Sequence, residues 1–166
     1  MTDVRVIGIG SPAGDDQAGW LVVDALRRLG LAERLSCALR IVALDRPSTQ
    51  LIHEFEDADV VVLIDATRTG ARPGTVRQID RTECFEVDHS LSGHLLGVAS
   101  ALELADALEL LPADVRIYGI EMQSAIANCG PSHCVASAAS ELAQTIADEL
   151  LQRFGAPAAS DAAAAG

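Results

Sequence analysis

The chain has 166 residues and a mass of 17.4 kDa, a length that one hydrophobic core serves as a single domain. Apolar residues make up 49% and aromatics only 3%, which predicts an aliphatic core of the kind that sheets covered by helices possess. Twenty-four Asp and Glu against twelve Lys and Arg leave a net charge of −12, which repels phosphate backbones and anionic lipid and argues against a nucleic-acid or membrane partner.

In chain order, a first strand is predicted at 3–9, with no basic region, cleavage site or membrane-length apolar run around it. GIGSPAGDD follows and opens a helix at 16–29, the place of a dinucleotide or phosphate loop. Its glycines at 8, 10 and 14 are one position too long for GxGxxG, and no Lys followed by Ser or Thr makes a Walker loop. Asp15 and Asp16 at the helix start also repel a pyrophosphate. One aspartate suffices to cap the helix, so the second invites another role. Leu21, Ala25, Leu26 and Leu29 outline the buried face of this helix, opposite Asp24, Arg27 and Arg28.

A strand at 38–44 and a helix at 48–56 come next, then a strand at 59–65 whose run Val60–Ile64 reads as central and buried on both faces. Asp65 is expected to end that strand, either hydrogen-bonded to a loop or buried and in need of a partner or metal. TRTGARPG is too short for a helical crossover, so the fourth strand, 74–79, is expected to run antiparallel. HSLSGHLLGVASAL then opens a helix at 93–109 with Ser92 as N-cap and Leu95, Val98, Ala99 and Leu102 on its apolar face. His94 falls in its first turn, where the helix N-terminus favours a neutral imidazole, structural or metal-competent. The last elements are a strand at 114–121 and a helix at 133–153.

Cys37, Cys84, Cys129 and Cys134 are scattered, as expected of reduced cytoplasmic thiols. Cys129, His133 and Cys134 lack the second pair that completes a tetrahedral site and read as a small loop followed by a buried helical Cys. Residues 155–166 read as a disordered, dispensable Ala-rich tail on a domain of residues 1–154.

Sites in parallel sheets form beyond the carboxyl ends of strands, so Asp16 and Asp65 are expected to face one cleft. With His94 they make an open three-ligand set for a divalent metal. No HExxH helix, GxSxG elbow or Cys–His pair marks another protease chemistry.

Over about residues 4–150 the chain resembles the hydrogenase maturation proteases. VIGIGSPAGDDQAG, VVLIDATRTGARPGTV, SGHLLGVASAL and VRIYGIE carry the resemblance. It implies a three-layer α/β/α sandwich with a mixed, mostly parallel five-stranded sheet and one antiparallel strand. It also implies an endopeptidase that removes a C-terminal peptide from the nickel-loaded large-subunit precursor of a nickel-iron hydrogenase, in the cytoplasm. Asp16, Asp65 and His94 match the family's nickel-binding set, the nickel arriving with the precursor. Two departures stand out: Ser11 replaces the Asn of a GxGN loop, and Asp45-Arg46-Pro47-Ser48-Thr49 replaces a DGGT-like stretch, where Arg46 is expected not to mimic a glycine backbone. Two alternatives are carried: a non-catalytic chaperone for the same precursor, which does not depend on the triad, and a nucleotide-binding module, which nucleotide would stabilise.

Overall fold

The computed structural model describes residues 1–46, 49–85 and 93–156, with 49, 84, 85 and 93–96 described as backbone alone. The tail residues 157–166 and the proposed cap Ser92 lie outside the described residues. Among the described residues there are five strands: β1 (Asp3–Gly10), β2 (Ala38–Asp45), β3 (Val60–Thr67), β4 (Val76–Ile79) and β5 (Asp114–Glu121). The helices are α1 (Ala18–Arg28), α2 (Thr49–His53), α3 (Arg81–Phe85), α4 (Gly93–Ala107) and α5 (His133–Phe154), with 3₁₀ turns at Gly14–Gln17 and Leu31–Arg34.

The strands form one sheet in the order β2-β1-β3-β5-β4. β1, β2, β3 and β5 are parallel, and β4 joins the edge antiparallel to β5. The fourth strand therefore runs as expected, although its neighbour is β5 and not β3. Side chains alternate across the sheet as the period of two requires. Val4, Val6, Val62, Ile64 and Ile120 pack with α1 and α5 on one face. Ile7, Ile9, Val61, Leu63 and Ile117 pack with α2 and α4 on the other. This is the expected three-layer sandwich. No helix among the described residues is long and apolar enough to cross a membrane.

Several local expectations shift. The helix expected at 16–29 begins at Ala18, after a separate 3₁₀ turn that holds both Asp15 and Asp16. Its buried face is Ala18, Gly19, Val22, Val23 and Leu26, whereas Leu21 and Ala25 are half-buried and Leu29 is exposed. Glycine causes this rotation: a Cβ on Gly19 would lie 2.2 Å from the Ile9 oxygen and 2.6 Å from the Ile64 oxygen. The helix backbone thus rests directly on β1 and β3, and the residues flanking Gly19 at helical spacing turn inward. Asp65 does not end its strand, because β3 continues through buried Ala66 and Thr67 in register with β5. α2 is shorter than expected, and α3 was not expected at all.

Candidate active site

The site is built where two crossovers part. α1 leaves β1 for one face and α2 leaves β2 for the other, so the carboxyl ends of β1 and β3 border a topological switch point. Pairing between β1 and β3 runs from Val4↔Val60 to Gly8↔Ile64 and then stops. Asp65, one residue later, keeps only its β5 neighbour Gly119. The strands have separated there, and the turn carrying Asp16 follows β1 into the same region.

Asp65 shares the sheet face of Val61 and Leu63, which α4 covers, and it is 2% exposed. Its Oδ1 accepts the Ala66 N–H at 2.8 Å, while its buried Oδ2 has no hydrogen-bond partner among the described residues. Burial pushes this carboxyl well above the usual carboxylate range; the Ala66 N–H opposes the shift and the nearby charge of Asp16 adds to it. A carboxyl shifted this way keeps its proton to higher pH than an ordinary one, and a nearby cation favours its ionisation. Asp16 is also buried, and its Oδ2 accepts a hydrogen bond from the Ser11 hydroxyl. Ser11 thereby holds the carboxylate itself, a contact made with a hydroxyl where the resembling loop has an amide.

His94 is the second residue of α4. Its side chain lies outside the described residues, and among the described residues no three His, Cys, Asp or Glu side chains gather to hold a metal. Its backbone place follows from topology. α4 descends to the start of β5, so its N-terminal end points toward the carboxyl edge of the sheet, on the face that Asp65 shares. Two carboxylates, one with an oxygen unpartnered among the described residues, are donors suited to a divalent cation.

Sequence reasoning missed two carboxylates. Asp15, read as a helix cap, turns to a distant segment instead: its oxygens accept the N–H groups of Gln123, Ser124 and Ser132 at 2.8, 3.2 and 2.5 Å. Burial raises the Asp15 carboxyl, but the bonds from Ser132, Gln123 and Ser124 outweigh it and hold the group below its ordinary value. Glu121, buried at the end of β5, accepts the N–H groups of Thr69 and Gly70 and the hydroxyls of Thr67 and Thr69, closing the loop between β3 and β4. The paired aspartates and a strand ending in Glu were the signals available.

Arg46 corrects one expectation. It has φ 64°, the left-handed conformation that glycine favours, and its N–H donates to the Gly10 oxygen at 3.2 Å. The chain therefore keeps a glycine-like backbone at this rim and adds an exposed guanidinium 3.6 Å from Asp45. Cys129 is exposed and Cys134 is half-buried in α5 with its Sγ 3.2 Å from the Ser132 Oγ, less enclosed than expected. A cavity of about 360 Å³ between Arg72–Thr75 and α5 includes neither Asp16 nor Asp65. A smaller hollow of about 140 Å³ is lined by Asp15, Ile126 and Cys129.

A family model described as hydrogenase maturation protease matches residues 39–149. The hydrogenase expression/formation protein HupD of Thiocapsa roseopersicina is 27% identical over 122 residues, covering 72% of this chain and 54% of that protein. The chain thus spans about half the length of that curated relative. Among solved structures, the HycI [NiFe] hydrogenase maturation protease of Thermococcus kodakarensis KOD1 is similar with a TM-score of 0.74 at 24% identity, covering 90% of this chain and 92% of that one. The hydrogenase maturating endopeptidase HybD of E. coli gives 0.73 at 21% identity, covering 92% and 94%. These likenesses extend the shared fold over nearly the whole of both chains.

Proposed function

Because the chain belongs to the hydrogenase maturation protease family, whose model matches residues 39–149, we propose that it is an endopeptidase acting on a nickel-iron hydrogenase large-subunit precursor. It removes a C-terminal peptide from that precursor once nickel is in place. The observation that carries this reading is the buried Oδ2 of Asp65, unpartnered among the described residues, beside the Asp16 charge at the switch point of the sheet. A buried carboxylate oxygen without a donor costs stability unless something cationic comes to meet it.

In this reading Asp16, Asp65 and His94 engage the nickel that the precursor carries. Ser11 holds the Asp16 carboxylate in place, and burial raises the cost of ionising Asp65, a cost that a bound cation would offset. When bound, the nickel marks a completed precursor and supplies a Lewis acid beside the scissile bond. Recognition and cleavage are then coupled, because the ion that identifies the precursor is met by Asp65, whose Oδ2 has no hydrogen-bond partner among the described residues. The three free thiols among the described residues suit a reducing compartment, and we place the protein in the cytoplasm with its precursor.

The test is to incubate the purified protein with nickel-loaded and nickel-free precursor from one source and read the new C-terminus by mass spectrometry. Only the loaded form should be shortened. Asp16→Ala, Asp65→Ala and His94→Ala should each abolish cleavage while circular dichroism shows a folded domain. Equal cleavage of both precursors would remove nickel recognition from the reading. A folded Asp16→Ala that still supports maturation would leave a chaperone in place of an enzyme.

A further inference from the structure

Residues 125–130, between β5 and α5, are exposed, the setting in which a loop ordinarily moves independently of its surroundings. Here the segment 123–132 is stitched to the turn that carries Asp16. Both oxygens of Asp15 accept from its backbone: Oδ2 takes the N–H groups of Gln123 at 2.8 Å and Ser124 at 3.2 Å, and Oδ1 takes that of Ser132 at 2.5 Å. The main chain answers in kind. Asp15 N–H donates to the Ser124 oxygen at 2.8 Å, Gly14 N–H donates to the Cys129 oxygen at 3.1 Å, and Ala13 bridges to Ala127. Gln17 Nε2 adds a bond to the Cys129 oxygen at 3.4 Å. Gly14 has φ 54°, and a Cβ there would lie 2.6 Å from the Ser124 oxygen, so the two backbones press together.

The 3₁₀ turn has only four residues, and Asp15 gives its side chain wholly to this distant segment. Asp16 is the next residue along the same turn. A carboxylate accepting three backbone N–H groups is a strong, directional anchor, and here it determines where the turn can sit. We infer that Asp15 is a positioning residue: it welds the 123–132 segment to the 14–17 turn and thereby sets the placement of the Asp16 carboxylate in the site. The consequence for metal binding rests on the function proposed above; the mechanical coupling does not.

Two measurements on the full-length protein separate these. In hydrogen exchange followed by mass spectrometry, Asp15→Asn keeps the side-chain shape but sets an amide donor against backbone donors. Exchange should quicken at least tenfold at residues 14–18 as well as at 123–132. Acceleration confined to 123–132 would overturn the proposal, since the turn would then be held without the clamp. Should Asp15→Asn fail to fold, Ser132→Pro removes one donor from the far side at a position whose φ of −66° suits proline, and the same two segments should respond. In calorimetric titration with nickel alone, at a temperature where the variants are folded, Asp15→Asn should bind at least tenfold more weakly than wild type. Affinity within twofold of wild type overturns the positioning role. Asp16→Ala in the same titration isolates the ligand assignment: if it binds nickel as wild type does, Asp16 is not a ligand, and exchange at 14–18 alone decides the coupling.

Discussion

Asp65 shows how one residue can oppose the fold that holds it. Its carboxyl titrates well above 3.8 in the folded chain because burial penalises the charge. Between its unfolded and folded pKa values the native state binds more protons than the unfolded state, so stability falls as pH rises through that window. Metal-free protein should therefore lose stability as pH climbs above about 4. Asp65→Asn, neutral throughout, should flatten that decline and match or exceed wild type at pH 7 in urea unfolding, while losing cleavage. An Asn variant with the wild-type pH profile would show that Asp65 is not the titrating group. Arg46 bears a different strain. At φ 64° a side chain costs about 1 kcal/mol, its surface pair with Asp45 returns little, and glycine gives back part of the gain as unfolded-chain freedom. Arg46→Gly should stabilise by a few tenths to about 1 kcal/mol; a loss of stability would mean that the guanidinium carries weight at the rim.

Among the elements, the bond between α1 and the sheet is the most constrained. Alanine improves helix propensity over glycine by about 1 kcal/mol. At Gly19 that gain meets a Cβ 2.2 Å from the Ile9 oxygen and 2.6 Å from the Ile64 oxygen, both backbone atoms of central strands. Overpacking that forces backbone to move costs about 1–3 kcal/mol or more, so Gly19→Ala should destabilise by about 2 kcal/mol in urea unfolding. A neutral result would mean that α1 shifts freely on the sheet. Hydrophobic period made the long elements legible: Val60–Ile64 could only be a central strand, and TRTGARPG could not cross over. It could not show that Asp15 and Asp16 would part company, because a DD pair at a helix start looks the same whether it caps that helix or binds a segment 108 residues away. Nor could it place the end of β3, since Ala66 and Thr67 fit a strand or a loop equally and only their pairing with β5 decides.

At the scale of the molecule, the acidic pair sits where an open parallel sheet places its sites, and this much followed from the two aspartates lying near the carboxyl ends of the first and third strands. The charge of −12 disfavours contact with a phosphate backbone. The structural matches at 24% and 21% identity keep the architecture while most of the residues differ. Ser11 and Arg46 are cases in point: each departs from the motif that the family resemblance implies, and each preserves a contact or a backbone shape by other means.

The chain contains a single tryptophan, and its surroundings make it an optical sensor. Trp20 Nε1 donates to the Leu44 oxygen at 2.8 Å, and a Cβ on Gly10, at the end of β1, would lie 3.1 Å from the Trp20 ring. The fluorophore therefore reads the carboxyl edge of β1 and β2, one residue from Ser11 and two from Arg46, without any label. Nickel is an efficient quencher of indole emission, so titrating it into the protein should dim Trp20 along a saturating curve. Asp16→Ala should abolish that curve and leave only weak, linear, collisional quenching. Saturable quenching that survives Asp16→Ala would place the ion elsewhere.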